Sequence, residues 1–300
     1  MHLSIDMKKR ITVFTPTYNR AHLLHSCYES LLRQTESRFK WLVIDDGSTD
    51  NTGDLVRKWI NEKKIEIEYY YKENGGLHTA YNTAIEHLTT ELSVCIDSDD
   101  WLPDNAIEIM LDSWDKYKDV GIAGLIGLDY TKDGKIIGDH LTEGEIINPI
   151  DLLASKTNSG DKKYVVATKY YKQVAPMPVF ANEKFLNPHY LILRLSAHCR
   201  FVAVDAPFCI VDYQQDGMSS NMFRQYMDSP RSYAELRRVI MRLPNVPKKY
   251  MIKTVIHYCS SSRLCSDRHY IRKSPKPLLT VLCTPVGWLL TAYINKKAGV

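Results

Sequence analysis

Three carboxylates arrive together at Asp97-Ser98-Asp99-Asp100, directly after the apolar run 92–96. Clustered carboxylates repel one another, and burial makes each harder to ionise. A hard divalent cation relieves that repulsion and leaves positions open for phosphate oxygens. The cluster therefore fits a metal-diphosphate site. A solvated, helix-capping turn is the plain alternative, but Asp104 already stands before the helical stretch 105–117 as a cap.

Asp45-Asp46-Gly47-Ser48-Thr49-Asp50 places two carboxylates and a turn-forming glycine after the apolar run 41–44. A carboxylate exposed there accepts hydrogen bonds from the N–H groups or sugar hydroxyls of a ligand, whereas Ser48 and Asp50 suit a turn and a helix cap. Asn74-Gly75-Gly76 offers backbone that a ligand can approach closely. His78 follows it at a helix start, although a lone histidine is most often structural.

The elements that carry these groups are strands near 11–16, 41–44, 65–70 and 92–96, alternating with helices near 20–34, 52–62, 77–88 and 105–117. That alternation predicts βαβ units, a mainly parallel sheet and an α/β fold. Ligands bind beyond the carboxyl ends of such strands, and the polar segments 15–20, 45–49, 74–78 and 97–100 all fall there. From 121 to 216 the pattern is mixed, with strand-like runs at 120–128, 164–168 and 208–213 and a helix near 190–198. Beyond 221 the chain reads as helices, punctuated by Pro244, Pro247, Pro275 and Pro277. The expected division is a catalytic domain over 1–220 and a helical extension over 221–300.

At 300 residues the chain can bury one large core, or one domain and an appendage. Its seven cysteines are scattered and form no CxxC pair, which argues against a disulfide framework or a zinc site and for a reducing compartment. No charged-then-apolar segment opens the sequence, so no cleaved leader is expected. The net charge of +4 conceals a split: residues 221–300 hold 15 Lys or Arg against 3 Asp or Glu, while 1–220 hold 24 against 32. A basic end on an acidic body predicts a polyanionic surface nearby. The apolar stretch 278–294 is flanked by Arg272, Lys273, Lys276, Lys296 and Lys297. It is shorter than the roughly 20 residues of a spanning helix. It reads as an interfacial segment on an anionic membrane, with Trp288 and Tyr293 at headgroup depth. A helix packed on the catalytic domain is the alternative. No nucleic-acid-binding motif accompanies the charge, so nucleic acid is not an expected partner.

In order and spacing, Thr15-Pro16-Thr17-Tyr18-Asn19-Arg20, Asp45-Asp46-Gly47-Ser48-Thr49-Asp50-Asn51-Thr52, Asn74-Gly75-Gly76 and Asp97-Ser98-Asp99-Asp100 resemble the family-2 glycosyltransferases of the GT-A fold. The resemblance covers roughly the first 130 residues and returns at Asn182-Glu183-Lys184-Phe185 and at 213–219. It implies inverting transfer of a sugar from a nucleotide-diphosphate donor, a UDP-sugar first among them. It further implies an acceptor hydroxyl on a surface glycan or lipid-linked precursor, at the cytoplasmic face of a bacterial-type plasma membrane. By position, Asp46 matches the carboxylate that reads the base, and Asp97 and Asp99 match the DxD pair that holds Mn²⁺ or Mg²⁺. Nucleotide-sugar contacts are implied for Thr15, Pro16, Tyr18, Arg20, Gly75, Gly76, His78 and Ser98.

The sequence departs from that pattern where the general base belongs. Relatives commonly carry a Glu after the proline in the stretch matching 187–189, and here the position is His189. A neutral imidazole accepts a proton near pH 7, and Glu183 and Asp216 are the carboxylate alternatives. Leu77 and Tyr81 also stand where relatives often have basic residues. Two rivals follow. A sugar nucleotidyltransferase would carry a Gly-rich phosphate loop with a basic residue after the first strand, which this sequence lacks. A non-catalytic scaffold of the same fold would have no use for the carboxylate cluster.

Overall fold

The computed structural model describes residues 8–155, 160–214 and 222–299. The first half alternates as the sequence pattern requires: β1 (Ile11–Thr17), α1 (Leu24–Leu32), β2 (Phe39–Asp45), α2 (Thr52–Glu62), β3 (Ile67–Tyr71), α3 (Leu77–His87), β4 (Leu92–Cys95) and α4 (Ala106–Tyr117). Asp104 does not cap α4. Its carboxylate pairs with Arg33 at 2.9 Å, and Gln34 Oε1 takes the Ile107 N–H instead.

The second half adds β5 (Gly124–Thr131), β6 (Ile146–Ile147), α5 (Pro149–Ala154), β7 (Lys162–Ala167), α6 (Thr168–Val174), α7 (His189–Ser196) and β8 (Phe201–Val211). The eight strands form one sheet in the order β3-β2-β1-β4-β7-β5-β8-β6. β7 runs antiparallel to β4 and β5, β6 antiparallel to β8, and the other pairings are parallel. β8 is longer than the run expected at 208–213. Asp205 and Pro207 interrupt its apolar alternation, and its register with β5 shifts around Leu128.

Apolar side chains alternate between the two faces of each central strand. Ile11, Val13, Trp41 and Val43 pack with α1, α2 and α4 on one face, and Phe14, Leu42 and Ile44 with α3, α6, α7 and α9 on the other.

The C-terminal helices are α8 (Met222–Asp228), α9 (Pro230–Arg242), α10 (Lys248–Leu264), α11 (Tyr270–Lys273) and α12 (Pro277–Ala298). α9 belongs to two cores. Leu236, Val239, Ile240 and Leu243 join the sheet core, and Met241 joins Val255, Tyr258, Cys259 and Cys283 in a smaller one. The apolar run 278–294 thus lies within one helix of 22 residues, long and apolar enough by length and composition to cross a membrane.

Candidate active site

Chain order reverses across the sheet between β1 and β4: β1 leads outward to β2 and β3, then the chain crosses back to β4. In sheets of this kind ligands bind at that point, beyond the carboxyl ends of the strands. Asn19 ties the loop after β1 to the one after β2. Held at φ 52°, it accepts from the Thr49 N–H at 2.7 Å and the Asp50 N–H at 3.3 Å, and its own N–H donates to Ser48 Oγ at 2.8 Å. Asp50 Oδ2 accepts from Ala21 N and its Oδ1 from Thr52 N, so it both caps α2 and closes the seam.

The two carboxylates after β2 divide their roles. Asp46 is buried under the glycine loop, where it accepts from Lys72 Nζ at 2.5 Å, Gly75 N at 3.0 Å and Gly76 N at 2.7 Å. Gly76 sits at φ 92°, and a Cβ there would meet the Lys184 carbonyl oxygen at 1.9 Å. Asp46 is therefore committed to the shape of the Asn74-Gly75-Gly76 loop. Its neighbour Asp45 lines a small cleft with Ser48, Asp50, Arg57, Tyr69 and Tyr71, and accepts from Ser48 N and Tyr69 Oη, each at 2.7 Å. Both carboxylates are almost wholly buried, Asp45 at 1% exposure and Asp46 at 4%, and Asp45 borders the cleft.

The four residues after β4 alternate in exposure: Asp97 is exposed, Ser98 buried, Asp99 half-buried and Asp100 buried. Asp100 anchors the loop. It accepts from Cys209 Sγ and from Asp212 N on the β8 side, and Lys163 Nζ approaches it at 3.7 Å. Lys163 is a buried cation facing Asp100 and Asp129, whose Oδ1 has no hydrogen-bond partner. Burial pushes the Asp129 carboxyl up to about 6, and Lys163 opposes that shift. Asp99 is also raised, first by burial and then by Asp97, with Arg20 and Lys163 pulling it back.

Negative charge thus exceeds the cationic groups that face it. Among the described residues no three His, Cys, Asp or Glu side chains converge as a metal cage. Asp97 and Asp99 form an open pair, which fits a hard cation completed by phosphate oxygens and water.

The remaining sequence candidates scatter. Thr15 is fully buried within β1, where its Oγ1 accepts from the Trp41 indole at 3.0 Å, so its side chain serves the core. Pro16 is buried beside Ile44, whereas Tyr18 is exposed in the loop after β1. His78 is fully buried with neither ring nitrogen partnered, and burial lowers its pKa. Glu183 is corrected from a base to a cap: its carboxylate takes the Arg231 and Ser232 N–H groups at 2.9 and 2.7 Å and the Arg231 guanidinium, at the first turn of α9. His189 opens α7 with its ring edge-on to Tyr164 at 5.5 Å and its Nε2 unpartnered. Burial pushes its pKa down to about 4, so it is neutral at pH 7. Asp216 lies outside the described residues.

The sequence profile of the family described as Glycosyl transferase family 2 matches residues 12–168, more than half of the chain and all of the elements just described from β1 to β7. The chain belongs to that family. It is 34% identical over 101 residues to glycosyltransferase GlyA of Streptococcus pneumoniae, which is 34% of this chain and 14% of GlyA. It is 30% identical over 130 residues to chondroitin synthase of Pasteurella multocida, 43% of this chain and 13% of that protein. The matched stretches are thus a small part of those relatives. In fold, the chain is similar to S. aureus TarS 1–349, with a TM-score of 0.63 at 16% identity over 97% of this chain and 92% of that one. The mannosyltransferase PcManGT from Pyrobaculum calidifontis, solved with GDP-Man and Mn²⁺, gives a TM-score of 0.55 at 16% identity over 98% and 84%. The GT-A architecture expected from the motifs is therefore the one observed.

Within this family-2 fold, sequence reasoning missed the cations. Lys72 and Lys184 flank the glycine loop, Lys72 on Asp46 and Lys184 Nζ on the Asn74 carbonyl. They bring positive charge to a loop whose positions 77 and 81 carry none, and Tyr81 instead packs edge-on against Phe14 at 5.2 Å. Lys163 and Asp129 meet only because β7 lies beside β5, with Lys163 opposite Gly127. The one sequence signal for Lys163 is a lysine entering an otherwise apolar strand.

Proposed function

We propose that the chain transfers a sugar from a nucleoside-diphosphate donor, a UDP-sugar first among them, to an acceptor hydroxyl with inversion at the anomeric carbon. The observation that carries this reading is the open Asp97–Asp99 pair at the β1/β4 switch point, one loop away from the cleft lined by Asp45. Support for the donor class comes from TarS solved with UDP-GlcNAc and UDP, and from PcManGT with GDP-Man.

In this reading the base of the nucleotide is read at Asp46, whose carboxylate also holds the glycine loop, with Asp45 bordering the adjoining cleft; Tyr18 covers the base, and the Gly75-Gly76 loop with Lys72 borders the sugar phosphate. Arg20 and Ser98 line the diphosphate, and Asp99 with Asp97 holds Mn²⁺ or Mg²⁺. When bound, that cation offsets the charge that develops on the departing diphosphate. The acceptor oxygen attacks the anomeric carbon from the face opposite the leaving group. His189, neutral and with Nε2 buried and unpartnered, is the group proposed to take the acceptor proton as the new glycosidic bond forms and the nucleoside diphosphate departs.

The acceptor we assign is a surface glycan or its lipid-linked precursor. The glycan synthases among the relatives and the basic end of the chain support it. Residues 1–220 are the proposed catalytic unit. Residues 221–300 hold it at the inner face of the plasma membrane, with α9 shared between the two.

Calorimetric titration with UDP, TDP and GDP, with and without Mn²⁺, tests the donor site. Metal-dependent binding of one nucleotide is the expected result, and a folded protein that binds none of them overturns the reading.

A further inference from the structure

α12 is built inside out. The side it presses on α10 is made of small residues, Thr280, Cys283, Gly287 and Thr291, ending at Ile294. A Cβ on Gly287 would lie 2.4 Å from that of Cys259, so the two helices touch backbone to backbone there. The large apolar residues point away from the protein: Leu278 is 82% exposed, Leu282 75% and Leu289 72%. A helix stabilised by water would reverse this arrangement. Trp288 lies on the outer side beneath the Arg263 guanidinium, 4.4 Å from its ring centre, and Arg272, Lys273, Lys276, Lys296 and Lys297 mark the ends.

A cavity of about 360 Å³ opens beside this face, enclosed by residues of α8, α9, α10 and α12 alone. Its walls are apolar and aromatic, with Phe223, Tyr226, Tyr250 and Leu290 among them. Arg237, Lys253 and His257 also line it, and among the described residues no Asp or Glu does. Arg237 Nε is buried with no hydrogen-bond partner. Burial, then Arg237 and Lys253, push His257 down to about 4, so it is neutral at pH 7 and Arg237 and Lys253 are the cations of the lining. Tyr293 borders the cavity and is itself 50% exposed on α12, which makes the mouth continuous with the outer apolar face. Cations without a partner call for an anion, and apolar walls call for an amphiphile.

We propose that this cavity receives the anionic head group of a membrane phospholipid while the outer face of α12 lies in the bilayer surface. It rests on the membrane location proposed above and is independent of the donor chemistry. Two cations that reach a phosphate raise membrane affinity about thirtyfold. Arg237, whose Nε is buried, does so with little screening, whereas exposed Lys253 is screened by salt.

The test is flotation of the full chain with vesicles of phosphatidylcholine alone or mixed with phosphatidylglycerol. The expected result is partitioning onto the mixed vesicles that R237Q/K253Q lowers about thirtyfold at low salt, with the roughly fivefold share of Arg237 persisting at about 0.5 M salt. The exposed control pair R272Q/K273Q loses affinity only at low salt. Because Lys253 is exposed, K253Q alone folds and is expected to lose about fivefold. If R237Q/K253Q behaves like the control while L282S/L289S abolishes binding, the cavity site is overturned and the membrane location stands. If the unmodified chain fails to bind phosphatidylglycerol vesicles, both are overturned. Release from the vesicles by millimolar inorganic phosphate also overturns the lipid site, because the cavity then takes any free phosphate.

Discussion

Lys163 Nζ stands 3.7 Å from Oδ2 of the buried Asp100, and burial raises that carboxyl to about 8 against the pull of Lys163, so one largely buried cation holds the base of the acidic loop. Removing one partner of a buried pair leaves the other uncompensated, at a cost of about 3–5 kcal/mol. Lys163→Met is therefore expected to lower unfolding stability by roughly 3 kcal/mol in urea, and K163M/D100N to recover part of the loss. An additive double variant would show that the two do not act as a pair.

Asp99 has the opposite character. Its carboxyl is raised by burial and by Asp97, so its charged form strains the folded state when nothing cationic is bound. Asp99→Asn is expected to melt at the same or a higher temperature in chelator, while kcat/KM for sugar transfer falls about a thousandfold. A variant that is both active and less stable contradicts this.

His189 is held down to about 4 by burial, against an ordinary value near 6.5. Below 6.5 the unfolded chain takes up the proton and the folded one does not, so this group's contribution to stability is lost as pH falls from about 6.5 to 4. In turnover the neutral form persists down to pH 4, and titration of the His189 ring by NMR should show a midpoint there. His189→Gln is expected to cost about a hundredfold in kcat with little change in donor KM. An unchanged kcat removes His189 from the mechanism.

Glu183 is expected to behave as a cap. Glu183→Ala strips the first turn of α9 of its acceptor and should cost about 1–3 kcal/mol. The folded fraction should keep kcat within a few-fold. A kcat collapse at unchanged stability would restore it as the base.

Gly76→Ala forces a side chain into φ 92° and onto the Lys184 carbonyl. The loss of more than about 1 kcal/mol is expected to appear together with weaker donor binding, because the same backbone supports Asp46. Isothermal titration with the cognate nucleotide reads both.

The half of the fold from β1 to α4 was legible because apolar runs of four to seven residues alternate with helical spacing and each ends in a polar motif. The second half was less so. α6 follows β7 without a break at Ala167–Thr168, and β8 passes through Asp205 and Pro207, so local pattern understates both. Within the site, position along the chain found the acidic loop but not its division of labour. Asp45 and Asp46 are adjacent and chemically identical. Only the fold of the 74–76 loop decides that Asp46 holds the glycine backbone while Asp45 bonds Ser48 and Tyr69 at the cleft. Asp129 and Lys163 lie more than thirty residues apart on strands joined only through sheet pairing, a relationship that periodicity cannot carry.

The seam at Asn19 has a consequence for any attempt to change the donor. One amide oxygen takes N–H groups from Thr49 and Asp50 while its backbone rests on Ser48. The segment that carries Tyr18 and Arg20 and the segment that follows Asp45 and Asp46 are thereby one mechanical unit. Substitutions in either segment will be felt in the other, and productive libraries must vary both at once.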